Sequence, residues 1–132
     1  MTILVRCSDP RINQFLENED LAKKFDIFKK SYGIIANTGS IKYFMQKNQI
    51  EDFFEQLGIL IHHFNAKRII LTNHTDCGYY KKLNQDEEKF YLDDLIEMSR
   101  QIENKFPDVN VEGYLIDTKT GKLKNTMNLQ NV

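Results

Sequence analysis

The sequence predicts an α/β domain of three layers, in which a mainly parallel, four-stranded central sheet is flanked by helices. Three observations carry that expectation. Four short apolar runs, rich in β-branched residues, have the length and composition of buried strands. Two longer stretches repeat apolar residues at intervals of three and four, the period of an amphipathic helix. The two kinds of segment alternate, which is the order of a parallel sheet crossed by helices.

"TILVRC", from Thr2 to Cys7, is the first strand. Leu21 to Lys30 follows as a helix with a shorter apolar pattern. "YGIIANTG", from Tyr32 to Gly39, is the second strand, closed by Asn and Gly, which shape turns. Ile50, Phe53, Phe54, Leu57, Ile61 and Phe64 then mark one face of a long helix. "KRIILTN", from Lys67 to Asn73, sets three large aliphatics between polar residues and is the third strand. Tyr91, Leu95, Met98, Ile102 and Phe106 mark a second long helix, with Pro107 as its stop signal. "NVEGYLID", from Asn110 to Asp117, is the fourth strand, and "TKTG" after it is a turn. No repeat, low-complexity tract or linker interrupts this pattern, so positions 1–132 read as one domain.

Composition narrows the function. Eighteen Lys and Arg against nineteen Asp and Glu give a net charge of -1, with no basic excess for nucleic acid and no asymmetry for a membrane surface. No apolar run approaches the roughly 20 residues that span a bilayer. Met1 to Val5 is too short for a signal peptide and lacks a positive leader. A soluble, cytoplasmic protein is expected. In a reducing compartment its two cysteines read as thiols, metal ligands or redox groups rather than a disulfide.

Those cysteines sit in two polar clusters, "CSDPR" from Cys7 to Arg11 and "NHTDCG" from Asn73 to Gly78, each just past an apolar run. Right-handed crossovers align such strand ends along one sheet edge, where ligands of open α/β sheets bind. If the first and third strands are neighbours, Cys7, His74 and Cys77 meet there. Two thiolates and an imidazole match a three-ligand zinc site whose fourth position is left for water or substrate. The same residues also admit a pair of buried thiols beside a turn histidine, or a redox dithiol. Asp9 and Arg11, at alternate positions of an extended loop, suit a carboxylate–guanidinium pair. Beside a metal, Asp9 would either take the open position or be held away from it by Arg11. His62 and His63 read as exposed residues at a helix end, and Tyr79 and Tyr80 as packing. Lys42, Lys47, Lys81, Lys82 and "DEEK" read as solvated surface.

Taken together, "CSDPR" and "NHTDCG" resemble the paired Cys-x-Asp-x-Arg and His-x-x-Cys-Gly motifs of the β-class carbonic anhydrases. "VEGYLIDTKTGKL" resembles that family's last core strand and turn, and "IIANTGS" sits where the family has an Asn-Ala-Gly segment, with Thr38 in place of Ala. Members usually carry helices ahead of the first strand, whereas this strand begins at residue 2, so the resemblance is to a short, amino-terminally truncated member. It implies Zn²⁺ held by Cys7, His74 and Cys77, with Asp9 and Arg11 as a catalytic dyad beside it. It also implies a carbonate dehydratase, hydrating carbon dioxide reversibly to bicarbonate by a zinc-bound hydroxide. In a closed form Asp9 would be the fourth ligand, favoured at lower pH. Homodimers or larger homo-oligomers, with the site near a subunit interface, are implied too. Two alternatives share the same ligands: a non-catalytic zinc protein that binds an anion or a partner chain, and a zinc hydrolase of another small linear substrate.

Overall fold

All four expected strands form, and they run parallel. The computed structural model describes residues 1–127. In chain order the elements are β1 (Thr2–Cys7), α1 (Pro10–Leu16), α2 (Glu19–Lys24), β2 (Tyr32–Asn37), α3 (Ile41–Gln46), α4 (Ile50–Phe64), β3 (Arg68–His74), α5 (Gly78–Lys82), α6 (Glu88–Lys105), β4 (Asn110–Asp117) and β5 (Lys122–Met127). The sheet order is β2-β1-β3-β4-β5, so the sheet has five strands rather than four. The added β5 pairs antiparallel with β4, across the "TKTG" turn whose Gly121 has φ +72. "KLKNTM" carries no apolar run to betray it, because an edge strand needs only one buried side chain in two.

β1 is buried along its whole length, and β3 in all but its first residue, which is why both read as continuous apolar runs. Alternate side chains feed the two outer layers. Ile3, Val5, Ile69, Leu71 and Val111 pack on one side with Phe53 and Leu57 of α4 and Leu95, Met98 and Ile102 of α6. Leu4, Ile70 and Tyr114 pack on the other with Leu21, Ala22 and Phe25. The stripe at three and four is thus the core face of each long helix.

Three local readings are corrected. Asp9 and Arg11 do not lie in an extended loop. Asp9 is the N-cap of α1, Pro10 is its first residue, and Arg11 is in its first turn. The helix expected over Leu21 to Lys30 is shorter: Asn18 caps it from Glu19, and Asp26 at φ +58 turns the chain out of it after Lys24. The short helices α3 and α5 were not expected, since a helix of one or two turns has too few positions to show a period.

The chain leaves β1 toward β2 on one side and returns to β3 on the other. Strand order therefore reverses between β1 and β3, and their carboxyl ends frame the crevice in which such sheets bind ligands.

Candidate metal centre

β1 and β3 are in parallel register, with Val5 opposite Leu71, so Cys7 and His74 emerge side by side at the same end of the sheet. Thr75 extends the pairing by donating its N–H to the Ile116 carbonyl at 2.9 Å. Its hydroxyl accepts the Thr118 N–H at 3.0 Å, which ties the turn to the end of β4. Asp76, at φ +58, then reverses the chain and brings Cys77 back as the N-cap of α5. The result unites Cys7, His74 and Cys77, whose ligand atoms all lie within 4.8 Å of one another. All three are buried, none more than 5 % exposed.

The histidine separates the metal reading from that of plain buried thiols. His74 Nδ1 lies 2.8 Å from the Thr75 carbonyl, which can only accept, so Nδ1 carries the proton and Nε2 the free lone pair. Nε2 is buried and has no hydrogen-bond partner among the described residues. An orphaned acceptor of this kind costs about 1–3 kcal/mol, and a cation between it and two sulfurs resolves it. The donor set therefore fits a metal ion. The two thiols share their protons unequally. Cys7 is held well below the usual thiol range, chiefly because Cys77 donates to it, and the same contact pushes Cys77 up.

Cys7 Sγ also receives the Gly39 N–H at 3.3 Å. Gly39 can present that N–H because it has no side chain: its φ is +79, and a Cβ there would stand 2.7 Å from the Tyr79 ring. On the other side, Tyr91 Oη accepts the Cys77 N–H at 3.2 Å and donates to Asp86.

Asp9 stands beside the ligands, its Oδ2 3.7 Å from His74 Nε2. Arg11 grips it with Nη2 to Oδ2 at 2.7 Å, Nε to Oδ1 at 3.1 Å and its backbone N–H to Oδ1 at 2.9 Å. Hydrogen bonds from the Arg11 side chain hold the Asp9 carboxyl below the usual range. Asp76 completes the arrangement, accepting Arg11 Nη1 on Oδ2 at 2.9 Å and Nη2 on its carbonyl at 3.0 Å, and pairing with Lys81 as well. The guanidinium is thus clamped between two aspartates. Sequence reasoning missed Asp76, Gly39 and Tyr91. Asp76 had a signal, since it lies inside "HTDC" where the loop must reverse. Arg11 and Asp76 also form part of the wall of a cavity of about 560 Å³, with Thr75, Asp86, Tyr91 and Thr118.

His62 and His63 are exposed at the end of α4, as expected. Tyr80 is fully buried, its ring packed as expected, and its hydroxyl donates to Asp94 at 2.7 Å. Lys42 is a correction: it is only 7 % exposed and pairs with Asp94 at 3.0 Å. Its charge sits inside because α6 offers a buried carboxylate, a partner too distant in sequence to be foreseen.

No protein-family model matches this sequence, and no curated protein matches it. Solved structures do. A carbonic anhydrase from Streptococcus mutans superposes with a TM-score of 0.63 at 18 % identity, over 96 % of this chain and 81 % of that one. Tetrameric β-carbonic anhydrases from the ascomycete Sordaria macrospora are represented at TM-score 0.54 and 15 % identity, over 93 % and 78 %. The apo form of a carbon disulfide hydrolase gives 0.57 at 20 %, over 94 % and 77 %. With its crevice between β1 and β3 and with these likenesses spanning nearly all its length, the chain has the fold of the β-carbonic anhydrases.

Proposed function

We propose that the chain is a zinc-dependent carbonic anhydrase, hydrating carbon dioxide reversibly to bicarbonate with Cys7, His74 and Cys77 as its metal ligands. The carrying observation is the unpartnered, buried Nε2 of His74, facing two thiols beside a carboxylate that Arg11 pins. Zinc bound there would bring the pKa of a coordinated water toward about 7. The protein's part is orientation. Asp9 offers its carboxylate as the hydrogen-bond acceptor beside the ligands, and Arg11 keeps that carboxylate from turning into the ligand set. Asp76 in turn keeps Arg11 from swinging away. Free, buried cysteines suit a reducing, cytoplasmic setting, and among the described residues no helix is long and apolar enough to cross a membrane.

The likeness to a carbon disulfide hydrolase supports a second reading, with a sulfur analogue as substrate on the same ligands. One experiment separates them. Stopped-flow carbon dioxide hydration by zinc-loaded protein at mildly alkaline pH, with Cys7→Ser as control, is set beside sulfide release from carbon disulfide. Turnover of carbon dioxide that vanishes in Cys7→Ser is expected. Sulfide release alone would favour the second reading, and zinc without either turnover would favour a binding protein.

The enzyme would work as a homodimer or larger homo-oligomer, with β2 at the interface. Met1, Ile34, Ile59 and Phe64 are the large hydrophobics exposed among the described residues. Ile34 is in β2, and Met1 stands against Gly33 of the same strand, as does Leu60, the neighbour of Ile59 on α4. β2 carries no charge or proline to discourage pairing, whereas the opposite edge, β5, carries Lys122 and Lys124. On α4, Asp52, Gln56, Ile59 and His63 share one face, and Asp52 and Gln56 line a cavity with Ala36 and Asn37 of β2. A twofold axis setting β2 antiparallel to its copy would oppose the acidic start of one α4 to the His62–His63 end of the other. Ile59→Lys should halve the mass seen by sedimentation; a wild-type monomer would refute the interface.

A further inference from the structure

Lys42, Asp94, Tyr80 and Asn73 form a buried polar chain to which the reaction above assigns no part. Lys42 Nζ pairs with Asp94 Oδ2 at 3.0 Å, and Tyr80 Oη donates to the same oxygen at 2.7 Å. Asn73 Nδ2 donates to Tyr80 Oη at 3.2 Å and to the Tyr91 carbonyl at 2.9 Å. None of the four residues is more than 9 % exposed. Stability alone accounts poorly for such a chain. Stripping water from two charges offsets most of their attraction, and apolar residues of the same volume hold a core as well or better.

The arms of the chain end on the segments that carry the ligands. Asn73 directly precedes His74 on β3. Tyr80 belongs to α5, the helix that Cys77 caps. Lys42 belongs to α3, and its N–H bonds the carbonyl of Gly39, whose own N–H donates to Cys7 Sγ at 3.3 Å. Asp94, on α6, is where these arms converge. One turn earlier on the same helix, Tyr91 takes the Cys77 N–H.

We infer that Lys42, Asp94, Tyr80 and Asn73 are positioning residues, a buried network that sets Cys7, His74 and Cys77 relative to one another and so fixes the affinity and geometry of the metal they hold. This rests on the reading of those three residues as metal ligands. Ligand placement governs metal affinity steeply, and outer partners typically carry 10–100-fold of it. The Tyr80 hydroxyl is the critical link, because among the described residues it alone joins the Lys42–Asp94 pair to Asn73.

Two variants separate positioning from mere packing. Tyr80→Phe removes the link but leaves the ring, the Lys42–Asp94 pair and the Asn73–Tyr91 bond. Ile102→Ala opens a cavity in the apolar core under α6 and leaves all four network residues in place. Zinc affinity is read by competition with a chromophoric chelator, geometry by the sulfur-to-metal charge-transfer bands of the Co²⁺ form, and stability by thermal unfolding of the metal-free protein. The expected pattern crosses. Tyr80→Phe should weaken zinc about tenfold or more and shift the Co²⁺ bands, with little change in Tm. Ile102→Ala should lower Tm further yet hold zinc within about threefold of wild type. Wild-type affinity and bands in Tyr80→Phe would overturn the inference, as would zinc loss that simply follows Tm in both variants. A wild-type protein that binds no zinc would instead overturn the metal reading itself.

Discussion

Arg11→Ala should cut carbon dioxide hydration about a hundredfold, the upper end of outer-partner losses, while leaving zinc in place. The reason lies in which hydrogen bonds survive. Asp9 Oδ1 keeps the backbone N–H of residue 11 at 2.9 Å, so Asp9 remains the cap of α1. Oδ2 loses the Arg11 Nη2 contact at 2.7 Å and its other side-chain partner. That freed oxygen is the one 3.7 Å from His74 Nε2. It is therefore placed to become a fourth ligand, and a zinc with four protein ligands has no position left for water. Zinc content and stopped-flow rates on the same sample test this, and X-ray absorption should show an added oxygen ligand. A variant that loses its zinc, or one that keeps its turnover, would refute the role given to Arg11.

Removing zinc should lower the melting temperature by about 10 °C, the equivalent of roughly 4 kcal/mol for a ligand held at a thousand times its dissociation constant. The effect is large because the ion would join separate segments, the end of β1 to the turn after β3. It would also relieve the unpartnered Nε2 of His74. Calorimetry with and without chelator measures the shift, and His74→Ala should erase the difference by melting at the same temperature in both conditions. Equal melting temperatures for wild type with and without zinc would mean that the three residues hold no metal that matters to the fold.

Much of this was legible in the sequence, for chemical reasons. Parallel strands buried on both faces leave unbroken aliphatic runs, so β1, β3 and β4 announced themselves. Cys and His are rare here, so Cys7, His74 and Cys77 stood out, and Asp9 and Arg11 with them. What escaped was whatever depends on a partner far along the chain. Lys42 reads as any surface lysine until Asp94 is placed beside it. Tyr91 reads as one more apolar position of α6, and its hydroxyl acquires meaning only against the Cys77 N–H. β5 escaped for the opposite reason, since its lysines look like a loop and its pairing is visible only from β4. The Asp9-Pro10 pair, in contrast, is a helix-start signal that the extended-loop reading passed over.

Because β1 and β3 are parallel neighbours, no hairpin can join them, and everything from α1 to α4 must be threaded between them first. On the ribosome Cys7 emerges ahead of the other two ligands and waits as an unligated thiol until β2 and α4 have followed and β3 can dock. Partly folded chains then offer zinc one sulfur or a loose Cys-His pair. Only a chain that has finished its central crossover offers three converging donors. Metal uptake would accordingly mark the closing of that crossover, and nascent chains would be most open to oxidation at Cys7 before that point.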